Sequence, residues 1–114
     1  HAQAGEHIPF TEAWIRRKGH PHRMVAMDVI GDSMSPEIEH GDTILVDQEH
    51  KELKHNAVYV VGVEDTIQVK RVQALRDIII LLSTNRSYTP ITLQGEEIDT
   101  LRIIGRVLWS SREY

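Results

Sequence analysis

The sequence predicts a mostly β domain of antiparallel strands with one short helix near its start. Runs rich in Val and Ile follow one another from Met24 onward, each about as long as a strand. Turn dipeptides separate them at Gly41-Asp42, Glu64-Asp65 and Arg76-Asp77. No helical pattern intervenes between the runs, which argues against a parallel sheet, since parallel neighbours need long crossovers.

Taken in order, residues 1–10 read as an arm, polar and broken by Pro9. A short helix is expected over Glu12 to Lys18. Thr11 suits its N-cap, and Gly19 stands where a left-handed C-cap is wanted. Phe10 and Ile15 take the two places of a hydrophobic staple, and Arg16, Arg17 and Lys18 suit the negative end of the helix dipole. Strands are expected over Met24 to Ile30, Thr43 to Asp47, Ala57 to Val63, Thr66 to Ala74, Asp77 to Ser83 and Leu101 to Trp109, with Gly95 to Asp99 as a loop. The chain therefore divides into an arm with a short helix, residues 1–23, and one domain over residues 24–114.

The totals narrow the function. A chain of 114 residues, 40% hydrophobic and 26% charged, suffices for a single core. The longest apolar run, Ile78 to Leu82, is far too short to span a bilayer, and no secretory pattern opens the chain, so a soluble, cytoplasmic protein is expected. Cysteine is absent, which excludes disulfides and thiolate metal sites. A net charge of −4 argues against a broad phosphate-binding face. The seven histidines show neither H-x-x-x-H nor H-E-x-x-H spacing, and turn chemistry explains Asp32 and Asp42, so neither metal nor cofactor is expected.

One segment invites chemistry. Gly31-Asp32-Ser33-Met34-Ser35-Pro36 lies between two expected strands. Gly31 accepts backbone angles that a Cβ resists, and Pro36 biases Ser35 toward extended geometry. Such a turn can present the Ser33 hydroxyl beside backbone N–H groups, as an acyl-transfer nucleophile requires. A serine hydroxyl also needs a base, and the histidines lie in loops and polar stretches. Lys70 lies in an expected strand, flanked by Ile67-Gln68-Val69 and Arg71-Val72. Alternation puts Gln68, Lys70 and Val72 on one face and Ile67, Val69 and Arg71 on the other; it does not say which face is inward. If Lys70 is buried, desolvation lowers its pKa and a neutral amine can take the Ser33 proton.

Read together, GDSMSPEIEHGDTILVD and the VKRV stretch from Val69 to Val72 resemble the peptidase domain of LexA, the UmuD mutagenesis protein and many phage repressors. Ser83-Thr84-Asn85 with Tyr88 and Pro90 is similar to that group's S-x-N-x-x-Y-x-P stretch, and Ile104-Gly105-Arg106-Val107 resembles its closing I-x-G-x-V strand. The resemblance runs from about Met24 to Trp109. It implies a β-clip-like peptidase fold in which Ser33 is the nucleophile and Lys70 its general base. It implies backbone oxyanion donors at Asp32 and Ser33, and self-cleavage at an Ala-Gly bond ahead of the core, here Ala4-Gly5. It further implies a homodimer, with DNA bound only through an amino-terminal helix-turn-helix domain that these residues lack. The expected inducer is a RecA–single-strand DNA filament, as in an SOS response, or an antirepressor protein. Two rival readings stay open: a dimerising, signal-receiving module that does not cleave itself, and a signal-peptidase-like enzyme acting in trans, which would need a membrane anchor.

Overall fold

The structure is a computed structural model that describes residues 23–49 and 52–112, together with the backbone of residues 2–4. It contains eight strands: β1 Ala2–Ala4, β2 Met24–Val29, β3 Thr43–Asp47, β4 Ala57–Val63, β5 Thr66–Ala74, β6 Ile78–Leu82, β7 Ile91–Gln94 and β8 Arg102–Ser111. They form one sheet in the order β1-β2-β3-β8-β4-β5-β6-β7, and every neighbouring pair is antiparallel. The domain is thus mostly β, as its sequence predicts. The expected helix over Glu12 to Lys18, with its cap and staple, lies outside the described residues. No helix among the described residues is long and apolar enough to cross a membrane.

Two turns set most of the register. The β4–β5 hairpin closes at Glu64-Asp65, where Glu64 takes a positive φ of 52° and the Thr66 hydroxyl donates to the Val63 carbonyl. The β5–β6 hairpin closes at Arg76-Asp77, with the Leu75 N–H donating to the Ile78 carbonyl at 2.9 Å. Because side chains alternate along a strand, successive residues of β4 enter different cores. Val60 joins Met27, Met34, Ile44 and Val69 in one cluster, while Tyr59 and Val61 join Val72, Ile79 and Leu81 in a second.

β8 runs between β3 and β4, and Gly105 is the residue that lets it sit there. A Cβ at Gly105 would lie 2.6 Å from Val46 Cγ1 and 2.8 Å from the Asp47 carbonyl oxygen, beside the register shift at Leu45/Val46. The glycine of the I-x-G-x-V stretch is therefore required by close strand approach.

Three elements depart from the sequence reading. Gly95 to Asp99, expected as a loop, lies within a 3-10 helix spanning Gly95–Thr100. β7 is a strand of four residues, too short to show a clear period, in which Leu93 is buried between exposed Thr92 and Gln94. Residues 2–4, read as part of an arm, add a strand to the free edge of β2. The sheet curls enough for β1 also to touch β5, although four strands separate them in the sheet order. That curl brings the end of β2 and the middle of β5 to one cleft.

Candidate active site

The turn that follows β2 is built from both ends. Val29 N–H donates to the Asp42 carbonyl and Gly41 N–H to the Val29 carbonyl, each at 2.8 Å, so residues 30–41 leave the sheet and return to it at one point. Gly31 and Gly41 carry φ of 96° and 89°, values that disfavour any side chain. Met34 and Ile38, 2% and 3% exposed, pin the turn into the first core. The Ser35–Pro36 bond is cis. Ser33 is left half-buried at the mouth of a cleft of about 460 Å³, lined also by Ile30, Asp32, Gln68, Lys70, Tyr88 and Ile91.

Lys70 reaches the same cleft from β5. Only 5% of it is exposed, and desolvation by burial lowers its pKa from the ordinary 10.5. The alternation left open by sequence resolves in a specific way. Thr66, Gln68 and Lys70 line the cleft, while Val69 enters the first core on the opposite face. Val72, next on the Lys70 face, enters the second core and so anchors the lysine stem beside apolar packing. The Lys70 ammonium-bearing end lies 5.5 Å from the Tyr88 ring centroid, and Nζ donates to Ser83 Oγ at 2.5 Å.

The stretch from Ser83 to Tyr88 braces the serine turn. The Asn85 backbone N–H donates to the Ser33 carbonyl at 3.0 Å, and Asn85 Nδ2 donates to the Asp32 carbonyl at 3.1 Å. The Tyr88 hydroxyl donates to Asp32 Oδ1 at 2.5 Å, and this bond to a carboxylate raises the Tyr88 pKa. A second brace joins the turn to the strand of the lysine. Arg71 Nη2 donates to both carboxylate oxygens of Glu37, at 2.7 and 2.6 Å, and the Thr84 hydroxyl donates to Glu37 Oε1 at 2.8 Å.

The structure therefore brings Ser33 and Lys70 to one cleft, with the expected oxyanion donors Asp32 and Ser33 on its wall. The residues that precede the expected scissile bond pair with β2 as β1. Ala2 stands opposite Val29 and Ala4 opposite Met27, so the chain runs away from the serine turn as it approaches the expected scissile bond. Met27 precedes Ile30 on the cleft wall by about 10 Å of strand. Gly5 lies outside the described residues.

Sequence reasoning missed Ser83, Arg71, Glu37 and Thr84 as site-building residues. For Ser83 a signal was present. Lys70 and Ser83 are equidistant from the Arg76-Asp77 turn, so a tight hairpin there sets them opposite each other, one step beyond the Arg71↔Leu82 pair. No comparable local signal links Glu37 to Arg71, which depends on how the serine turn folds back.

An antiparallel β domain that sets a serine turn against a buried lysine is of the peptidase type. The chain belongs to the peptidase S24-like family, whose model matches residues 1–108. It is similar to an uncharacterized HTH-type transcriptional regulator of Haemophilus influenzae, with 40% identity over 79 residues that cover 68% of this chain and 33% of that protein. It is also similar to the 26 kDa repressor protein of Escherichia phage HK022, with 32% identity over 98 residues, 85% of this chain and 42% of the relative. The chain thus spans well under half the length of the curated relatives it matches.

Proposed function

We propose that this chain is the self-cleaving, dimerising carboxyl-terminal domain of a cytoplasmic transcriptional repressor, with Ser33 and Lys70 as its catalytic dyad. The observation that carries the reading is that a half-buried serine on a glycine-hinged turn shares a cleft with a lysine whose amine burial biases toward neutrality. Ser33 Oγ attacks the carbonyl carbon of Ala4 as its proton passes to Lys70 Nζ. Backbone N–H groups at Asp32 and Ser33 hold the oxyanion. Collapse breaks the Ala4-Gly5 bond, the lysine proton passes to the departing Gly5 nitrogen, and water then hydrolyses the Ser33 ester. DNA is contacted through a helix-turn-helix domain in the longer protein, in keeping with the kind of regulator the relatives are named for.

In this reading β1 is a resting position. The Ala4 carbonyl reaches Ser33 only after the β1–β2 pairing is released, and an inducer acts by favouring the released state. A RecA–single-strand filament and an antirepressor protein are the two kinds of inducer proposed. The rival reading is a repressor module that dimerises and receives a signal without cutting itself. It draws on the same register.

Mass spectrometry of the purified chain, incubated from about pH 7 to about pH 10, separates the two readings. Self-cleavage predicts a cut between Ala4 and Gly5 that rises with pH and is absent from Ser33→Ala and Lys70→Ala chains. A wild-type chain that stays whole at every pH, with or without an activated RecA filament or antirepressor, refutes it.

A further inference from the structure

We propose that Ser83 is a positioning residue for Lys70: its hydroxyl takes one N–H of the ε-amine and so aims the amine's lone pair at Ser33. The inference deepens the dyad reading and rests on it. A neutral amine has two N–H bonds and one lone pair. To accept the Ser33 proton the lone pair must point at Ser33, and the N–H bonds must then be directed elsewhere. A lysine stem has four carbons with free rotation between them, so it does not hold one direction unaided.

Ser83 supplies that direction. It follows β6 directly, where the hairpin register sets it across from Lys70, and its Oγ lies 2.5 Å from Nζ. No other hydrogen bond competes for the amine among the described residues, and Lys70 has no ion pair there. The Tyr88 ring lies 5.5 Å from the amine, Ser33, Asp32 and Gln68 line the same cleft, and Tyr59 is the register partner of Lys70 in β4. The Asp32 carboxylate is held by the Tyr88 hydroxyl, and the Tyr59 hydroxyl is turned away to the Glu52 carbonyl and the Lys54 N–H. Arg71, next along β5, points to Glu37.

The same short stretch fixes the other half of the dyad. Two residues beyond Ser83, Asn85 holds the carbonyls of Asp32 and Ser33. One segment thus grips base and nucleophile together, and their separation is set by its internal geometry rather than by the long path through β3, β8 and β4.

The test compares Ser83→Ala and Ser83→Thr with the wild type by two readouts. The first is the NMR titration of the Lys70 ε-amine in lysine-labelled chain that also carries Ser33→Ala, so that the protein stays whole. A hydroxyl that accepts from the ammonium form favours it, so Ser83→Ala moves the Lys70 titration to lower pH and Ser83→Thr restores it. The second is the rate of self-cleavage with Ser33 intact. Misdirecting the amine slows cleavage by about 10²-fold in Ser83→Ala, and threonine recovers it to within a few-fold.

An unmoved titration in Ser83→Ala overturns the proposal whether or not the chain cleaves, and so does Ser83→Ala cleaving at the wild-type rate. If the wild type never cleaves while the titration shifts and threonine restores it, Ser83 does hold the amine and the dyad reading is what fails.

Discussion

Removing the Arg71 guanidinium tests how firmly the serine turn is tied to the lysine strand. One guanidinium nitrogen donates to both oxygens of Glu37, at 2.7 and 2.6 Å, while the other donates to the Asn56 carbonyl at 2.8 Å. A charge-assisted hydrogen bond away from water contributes about 1.5–3 kcal/mol, and an exposed ion pair about 0.2–1 kcal/mol. The two side chains are 29% and 42% exposed, between those limits, so their coupling is expected near 1 kcal/mol. Arg71→Ala by itself should cost more, about 1–2 kcal/mol, because it also strips the donor from Asn56, whose φ is 70°.

The assay is a double-mutant cycle of Arg71→Ala and Glu37→Ala by urea unfolding, run at neutral and at acid pH. Burial alone would raise the Glu37 pKa, but hydrogen bonds from Arg71 and Thr84 and the Arg71 charge outweigh it and hold the carboxyl below its ordinary 4.5. A carboxylate depressed in the folded state contributes stability that is complete above the unfolded pKa and is lost as pH falls through the folded one. The coupling should therefore stand at neutral pH and fade below about pH 4. A coupling near zero at neutral pH, or one equally large in acid, would refute the clamp.

Other perturbations follow from the same geometry. Lys70→Met should raise stability at neutral pH. The Lys70 pKa is lowered on folding, so the wild type gains stability as pH rises between its folded and unfolded values, and the advantage of methionine should shrink toward pH 10.5 in denaturation curves taken across that range. Gly105→Ala should cost about 1–3 kcal/mol, because its methyl meets both Val46 and the Asp47 carbonyl; a melting temperature within a degree of wild type would show that β3 and β8 yield freely. Tyr59→Phe should cost about 1–2 kcal/mol in chemical denaturation, since the buried hydroxyl donates to the Glu52 carbonyl at 2.8 Å and accepts the Lys54 N–H at 2.9 Å; an unchanged midpoint would mean that water replaces it.

The position of β1 gives the self-cleavage reading a control step. Antiparallel pairing with β2 carries Ala4 toward Met27 and away from Ser33. An edge strand of three residues has few ladder bonds, so releasing it costs far less than unfolding the domain. On the proposed self-cleavage, a partner or a rise in pH would act on two separable quantities, the population of the released arm and the neutral fraction of Lys70.

Much of this protein is legible without coordinates because the relevant physics is local. Strand existence follows from β-branched runs between turn dipeptides, and six expected strands match β2, β3, β4, β5, β6 and β8 in order. Short elements such as β7 were missed because four residues carry too little period to stand out. Ser33 and Lys70 were nameable as a pair through motif and resemblance, yet neither alternation nor composition could say that Lys70 faces the cleft, since both faces of β5 carry apolar residues and both are packed. Burial on both sides of a curled sheet is a tertiary property. So are the contacts of Glu37 with Arg71 and of Asn85 with Ser33, which join positions distant in the chain through the fold-back of a turn. The sequence by itself determined the fold class, the glycine-hinged turn that carries Ser33 and the hairpin that opposes Lys70 to Ser83. Only the tertiary structure decided which way the lysine points, what braces the serine, and that Ala4 pairs opposite Met27, because those depend on how far the sheet curls.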